Sequence, residues 1–152
     1  MKAAVARLKP VELTETAPSQ APKVDLPASE THYAERDGLK FAGTHLLIDV
    51  WDATNLDRMA VIQRMMRDMV TEVGATLLRL DLHHFEPNGG ISGVAVLAES
   101  HISIHTWPET GYAALDVFVC GNCEPHKAIP VIKRALQPER VTVSEHKRGL
   151  EV

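Results

Sequence analysis

The stretch that decides the fold reads ATLLRLDLHHF (75–85), ISGVAVLA (91–98), HISIHTW (101–107) and YAALDVFVC (112–120). Its apolar residues recur at every second position, which is typical of strands that bury one face. The linker Pro87-Asn-Gly-Gly90 is a strong turn signal, because glycine accepts positive φ angles. We therefore expect four strands here, three of them joined by short turns.

Outward from this stretch, a strand and a helix precede the four strands. Residues 44–51 (THLLIDVW) are short, apolar and β-branched, as in a buried strand. Residues 54–57 (TNLD) carry side-chain oxygens and an acid suited to a helix start. A helix is then indicated by apolar residues spaced three or four apart and by Gly74, a natural stop. The apolar positions are Leu56, Met59, Ile62, Met66, Met69 and Val73.

A second helix over residues 125–136 and a last strand over 141–145 follow the four strands. Pro130 lacks the backbone donor that a helix interior needs, so this helix must start late or kink. The order strand, helix, four strands, helix, strand predicts an α+β fold. We expect a two-layer sandwich with a mainly antiparallel sheet covered on one face by two helices.

Length and composition indicate one globular domain with a disordered tail. Residues 1–37 hold four of the nine prolines and no periodic apolar pattern. They cannot bury enough apolar surface to compensate for the conformational entropy that ordering would cost. The remaining 38–152 are long enough for one catalytic domain. The formal net charge of -4 gives no reason to expect a nucleic-acid partner. No apolar run approaches the roughly 20 residues that span a bilayer, and residues 1–10 lack a signal-peptide core, so we expect a cytoplasmic protein.

The residues that suggest chemistry lie between positions 92 and 123. Glu99, Ser100 and His101 interrupt two apolar segments, and a solvated tight turn is one explanation. Alternation along the next strand places His101, Ser103 and His105 on one face. Histidine titrates near neutrality and shuttles protons when it is held near a reacting group.

Beyond these patterns, residues 98–109 (AESHISIHTWPE) and 111–121 (GYAALDVFVCG) closely resemble the processing and active-site segment of bacterial and archaeal S-adenosylmethionine decarboxylases. The resemblance extends to 43–47, 74–76, 83–85 and 141–149, and it covers essentially everything after Gly38. It implies a pyruvoyl-dependent enzyme that cuts itself between Glu99 and Ser100. The Ser100 hydroxyl attacks the preceding carbonyl to give an ester, and elimination followed by hydrolysis leaves a pyruvoyl group. Its ketone forms a Schiff base with the substrate amine and accepts electrons as carbon dioxide leaves.

The same resemblance implies roles for six further residues and for the assembly. Ser92 and His105 match the residues that assist the ester and elimination steps, and Cys120 matches the residue that protonates the decarboxylated carbon. Phe85, Trp107 and Glu109 match positions at the nucleoside end of the substrate. The resemblance also implies a homodimer whose active sites use both chains, and a product that serves spermidine synthesis.

Three alternatives remain open from the sequence. A same-family arginine or ornithine decarboxylase would retain the processing serine, histidine and cysteine. Cys120-Gly-Asn-Cys123, with His83 and His84, would suit a metal or redox module, although one Cys-x-x-Cys is a weak signal and zinc needs four ligands; we therefore expect no metal. A relative that no longer processes itself is the third.

Overall fold

The alternating segments form the centre of a six-stranded antiparallel sheet. The protein is described by a computed structural model over residues 33–36, 38–98 and 100–151. Its strands and helices are β1 (Ala34–Arg36), β2 (Leu39–Phe41), β3 (Gly43–Trp51), α1 (Met59–Val73), β4 (Leu77–His84), β5 (Ile91–Leu97), β6 (Ser100–Trp107), β7 (Tyr112–Cys120), α2 (Ala128–Leu136) and β8 (Arg140–Arg148). The large sheet has the order β4-β5-β6-β7-β3-β8, and every neighbouring pair in it is antiparallel.

The two helices pack on one face of this sheet. On β6, Ile102 and Ile104 are fully buried against the helices, whereas His101, Ser103 and His105 alternate with them and are more exposed. Methionines of α1 complete the core, with Met66 and Met69 fully buried. The predicted α+β two-layer sandwich is therefore confirmed. We call the face opposite the helices, which carries His101 and His105, the open face.

Helix α1 ends where the sequence predicts but begins later. Gly74 follows the helix in the left-handed region at φ 80°, as expected for a stop. The helix begins at Met59, and no side chain caps its first turn. Thr54 Oγ1 instead donates to the Leu136 carbonyl at 3.1 Å. The predicted capping role of residues 54–57 was wrong, because the Thr54 and Asn55 side chains bond to carbonyls at the end of α2.

Helix α2 begins at Ala128, after a 3₁₀ turn over Pro125–Lys127. Pro130 thus lies in the first turn of α2, where a backbone N–H has no intrahelical acceptor. The predicted late start is confirmed.

A buried threonine fixes the start of β5 against the loop before α1. Thr106 is 6% exposed, and its Oγ1 accepts a hydrogen bond from the Ile91 N–H at 2.7 Å. The same hydroxyl donates to the Leu56 carbonyl at 2.8 Å. The hydroxyl is therefore used both as donor and as acceptor. Because Ile91 is fixed in this way, Ser92, the residue after it on β5, is held in place.

The described part of the chain begins with a small hairpin, in which β1 pairs with β2 and Ala34 lies opposite Phe41. Ordered structure therefore begins before the boundary that the sequence predicts at Asp37. The rest of the predicted tail, residues 1–32, lies outside the described residues, as does Asp37 itself. No described helix is long and apolar enough to cross a membrane.

Candidate active site

Ser92 and His105 form a hydrogen-bonded pair on the open face. They lie directly opposite each other on β5 and β6, and Ser92 Oγ is 2.8 Å from His105 Nδ1. Because both side chains point away from the helices, His105 is solvent-exposed. A hydroxyl bonded to an imidazole can exchange a proton with it, and the imidazole can in turn serve a reacting group. We call these two residues the His105 pair.

A cavity of about 370 Å³ opens over the His105 pair. Gly93 keeps strands β4 and β5 close at this point, since a Cβ there would lie 2.2 Å from Leu82 Cδ2 and 2.6 Å from the Asp81 carbonyl oxygen. The cavity can hold a small organic group beside the imidazole. Its walls are Asp81, Leu82, His83, Ser92, Gly93, Val94, Ser103 and His105.

Ser100 and Cys120 form a second pair at the other end of β6. Ser100 is the first residue of β6, and its Oγ accepts a hydrogen bond from the Cys120 N–H at 3.2 Å. Both side chains are half-buried. We call these residues the Ser100 pair. Glu99, the residue before the expected cut, lies outside the described residues, so its role stays a prediction.

The structure separates the His105 pair from the Ser100 pair within one chain. His105 lies five positions beyond Ser100 along an extended strand, which corresponds to about 17 Å. No side chain spans that distance. The expected catalytic residues are therefore brought together as two pairs but not as one site.

The three residues expected at the nucleoside end of the substrate flank the His105 pair. Phe85 follows β4, is 45% exposed and packs edge-on against His83, the residue opposite Ser92. Trp107 ends β6, is 40% exposed and has its ring centroid 6.3 Å from that of His105. Glu109 is exposed in the 3₁₀ turn that follows. All three lie at the end of the sheet that carries His105.

A polar network in the middle of the open face was missed by sequence reasoning. Ser103 Oγ donates to Asp116 Oδ2 at 2.9 Å, and His45 Nε2 lies 3.2 Å from Asp116 Oδ1. Arg148 Nη1 lies 3.3 Å from His45 Nδ1. The available signal was Asp116, the one charged residue in the apolar alternation of 112–120. The other members of the network lie on β6, β3 and β8, so only the strand register reveals that they meet.

The two cysteines differ in their surroundings. The Cys123 Sγ donates to the Gly74 carbonyl at 3.6 Å, which directs it towards the end of α1. Burial raises the pKa of the Cys123 thiol, and the neighbouring Cys120 raises it further. Among residues 33–36, 38–98 and 100–151, no three His, Cys, Asp or Glu side chains are grouped so as to hold a metal ion.

Comparisons with known proteins show which family the chain resembles. Residues 44–149 match the model of the family described as S-adenosylmethionine decarboxylase. The chain is 49% identical over 115 residues to the S-adenosylmethionine decarboxylase proenzyme of Methanococcus maripaludis (strain C7), covering 74% of this chain and 93% of that protein. It is 44% identical over 115 residues to the proenzyme of Thermomicrobium roseum, covering 75% of this chain and 99% of that one.

A solved structure is also similar. The crystal structure of the adenosylmethionine decarboxylase from Aquifex aeolicus VF5 superimposes with a TM-score of 0.66 at 34% identity, covering 74% of this chain and 94% of that chain. These matches confirm the predicted family and the predicted activity of a self-processing carboxy-lyase, and they do not favour the arginine or ornithine alternative. With a family model spanning residues 44–149 and relatives of this identity along most of their own length, the chain belongs to the S-adenosylmethionine decarboxylase family.

Proposed function

We propose that the protein cuts itself between Glu99 and Ser100 and uses a pyruvoyl group made from Ser100 to decarboxylate S-adenosylmethionine. The observation that carries the proposal is the 2.8 Å contact between Ser92 Oγ and His105 Nδ1. Self-cleavage needs a group that removes the α-proton of Ser100 once the ester has formed. A hydrogen-bonded imidazole that faces a cavity is suited to that step.

The surroundings of Ser100 fit a pyruvoyl group. The Cys120 N–H, which donates to Ser100 Oγ, is equally suited to donate to a carbonyl oxygen in that place. When formed, the pyruvoyl group supplies a ketone that holds the substrate amine and withdraws electrons as carbon dioxide leaves. We assign to the half-buried Cys120 thiol the return of a proton to the substrate carbon.

We further propose that each active site combines the Ser100 pair of one copy with the His105 pair of a second copy. The separation of about 17 Å along β6 supports this, because one chain cannot bring the two pairs together. The open face also suits a sheet-to-sheet contact, since Leu47 and Val96 are 38% and 40% exposed on it. A two-fold dimer that joins the two kinds of pair would build two identical sites.

The proposed recognition of S-adenosylmethionine rests on Phe85, Trp107 and Glu109. Aromatic faces attract a sulfonium cation and stack on a purine, and a carboxylate accepts hydrogen bonds from ribose hydroxyls. The exposure of these side chains beside the His105 pair leaves them accessible to a ligand.

Intact-mass measurement and carbon dioxide release test the activity. We expect two fragments divided at residue 100, the second with a blocked amino terminus, and release of carbon dioxide from S-adenosylmethionine. Arginine and ornithine are the comparison substrates. A single stable full-length species, or turnover of arginine or ornithine in place of S-adenosylmethionine, contradicts the proposal.

Mixing two inactive variants tests the shared site. Ser100→Ala chains are not expected to cut themselves and His105→Ala chains only very slowly, because each homodimer lacks half of every site. When the two are co-expressed in equal amounts, about half of the His105→Ala chains pair with a Ser100→Ala chain at random and should be cleaved. If the His105→Ala chains stay intact in the mixture, the two pairs do not meet across a dimer.

A further inference from the structure

Four side chains form a continuous row across the open face beside the His105 pair. Trp107 on β6 lies opposite Tyr112 on β7. Val50 on β3 is paired with Ala113 on β7, so the next residue of β3, Trp51, lies beside Tyr112. Trp51 is also paired with Arg140 on β8. Directly opposed residues on adjacent strands have their Cβ atoms about 5 Å apart, so such side chains pack on one another.

The rings of this row are in contact. The Trp107 and Tyr112 rings are stacked with centroids 5.2 Å apart and planes 29° from parallel. The centroid of the Trp51 ring lies 4.4 Å from that of the Tyr112 ring on the neighbouring strand. The Arg140 guanidinium lies 4.7 Å from the centroid of the Trp51 ring, which adds a cation–π contact. Tyr112 is therefore held between two tryptophans.

A hydrogen bond fixes the tyrosine from its other end. The Tyr112 hydroxyl donates to Asp49 Oδ1 at 2.5 Å, and Asp49 lies two residues before Trp51 on β3. A ring that is stacked and hydrogen-bonded at the same time has one favoured rotamer. Trp107, by contrast, is 40% exposed and forms the end of the row that lies nearest to His105. Without Tyr112 its large ring would be free to change rotamer.

We propose that Tyr112 is a positioning residue, which holds the Trp107 ring in the orientation that receives the nucleoside of the substrate, and that Asp49 and Trp51 hold Tyr112. The inference rests on the proposed function, because it takes Trp107 as a contact for the substrate. Tyr112 covers one side of the Trp107 ring, so a planar ligand stacks on the part of Trp107 that remains exposed. Ordering this ring before binding lowers the entropic cost of recognition.

This role predicts an effect on substrate affinity and not on the chemical steps. Tyr112 touches neither member of the Ser100 pair, and its row is next to the His105 pair without including it. An interaction that acts equally on bound substrate and transition state raises KM when it is lost and leaves kcat unchanged. An aromatic stack of this kind corresponds to roughly a 2- to 12-fold change in affinity.

The experiment compares Tyr112→Leu, Tyr112→Phe and Asp49→Asn with the parent chain. Tyr112→Leu removes the stack and should raise KM for S-adenosylmethionine by about 10-fold, and Tyr112→Phe, which loses only the hydrogen bond, should raise it by about 2- to 5-fold. Asp49→Asn keeps an acceptor oxygen and removes only the charge, so it should raise KM no more than Tyr112→Phe does. We expect kcat and the extent of self-cleavage to stay close to those of the parent. Tyr33→Phe is the matched control, since Tyr33 is the only other tyrosine and lies near Lys40.

A ligand-binding readout keeps the test decisive if Tyr112→Leu does not fold. Trp51→Phe preserves a ring in the row and leaves Trp107 as the sole tryptophan. Quenching of its fluorescence by adenosine then reports on Trp107 directly, with and without Tyr112→Phe. An unchanged KM together with unchanged adenosine binding overturns the inference, and so does a loss of kcat at constant KM. Failure of the proposed function is distinct, because the parent chain itself would then release no carbon dioxide from S-adenosylmethionine.

Discussion

Ser92 Oγ and His105 Nδ1 are joined at 2.8 Å across the β5–β6 ladder, on the face of the sheet that no described helix covers. This contact makes the processing step testable. Ser92→Ala and His105→Ala should slow self-cleavage by about 10²- to 10⁴-fold, because each removes a group that handles a proton. The full-length fraction is followed by intact mass over time. Ser144→Ala, on the edge strand β8, should cut at the parent rate; equal rates in all four proteins would remove the pair from the mechanism.

The two cysteines should differ in their importance for decarboxylation. Cys120 has its backbone N–H on Ser100 Oγ, whereas the Cys123 thiol is directed to the Gly74 carbonyl. We expect Cys120→Ala to lower carbon dioxide release per cleaved chain by about 10²- to 10⁴-fold, as loss of a proton donor does. Cys123→Ala serves as the matched control and should retain activity. Similar losses in both variants would instead indicate that the Cys-x-x-Cys segment acts as a unit.

The Tyr112 hydroxyl should ionise at unusually high pH. Its hydrogen bond to Asp49, followed by burial and the Asp49 charge, raises the pKa of Tyr112 to about 12. An unfolded tyrosine ionises at about 10, so between about pH 10 and pH 12 the folded chain holds more protons than the unfolded chain. Its contribution to stability is complete below about pH 10 and is lost as the pH rises towards 12.

Tyrosinate absorbance measured on Tyr33→Phe protein isolates this group. Adding Asp49→Asn removes the negative charge, and the pKa of Tyr112 should then fall towards that of an ordinary tyrosine. A midpoint near that ordinary value, unchanged by the Asp49→Asn substitution, would show that the Tyr112–Asp49 hydrogen bond does not form in solution.

The buried hydroxyl of Thr106 should contribute measurably to stability. Thr106→Val keeps the shape of the side chain but leaves the Ile91 N–H and the Leu56 carbonyl without their partner. The free energy of unfolding should fall by about 1–3 kcal/mol, the cost of unsatisfied buried polar groups. Urea unfolding of uncleaved Ser100→Ala protein measures it, with Thr106→Ser as the variant that keeps both hydrogen bonds. If Thr106→Val and Thr106→Ser lower the free energy of unfolding equally, the effect comes from packing alone.

Period-two alternation was enough to predict the sheet, because strands buried on one face carry a repeating signal along the chain. Local chemistry was less reliable at the start of α1. Thr54 and Asn55 have the side chains of a helix cap, yet both bond to carbonyls at the end of α2. A tertiary partner thus replaced the local one, and no local pattern indicates such a partner.

The candidate site, too, was predicted in part from the sequence. Ser92, Ser100, His105 and Cys120 were identified by resemblance to a long motif, and the register then showed which of them are neighbours. Their separation along β6 follows from the five-residue spacing of Ser100 and His105, whereas the contacts within each pair depend on the pairing of β6 with β5 and β7. The Asp116 network and the Tyr112 row were missed for a related reason, because their members are far apart in sequence and meet only across strands.

The order of strands in the sheet has a consequence for the mature protein. A cut before Ser100 leaves β3, β4 and β5 on one fragment and β6, β7 and β8 on the other. Because β3 lies between β7 and β8, the fragments are interleaved, and neither can leave without breaking ladders on both sides of β3. The cleaved protein should persist as a two-chain complex that dissociates only on unfolding. Refolding of a single cleaved protomer is then a bimolecular reaction between its two fragments, whereas a protomer of the uncut precursor refolds from one chain.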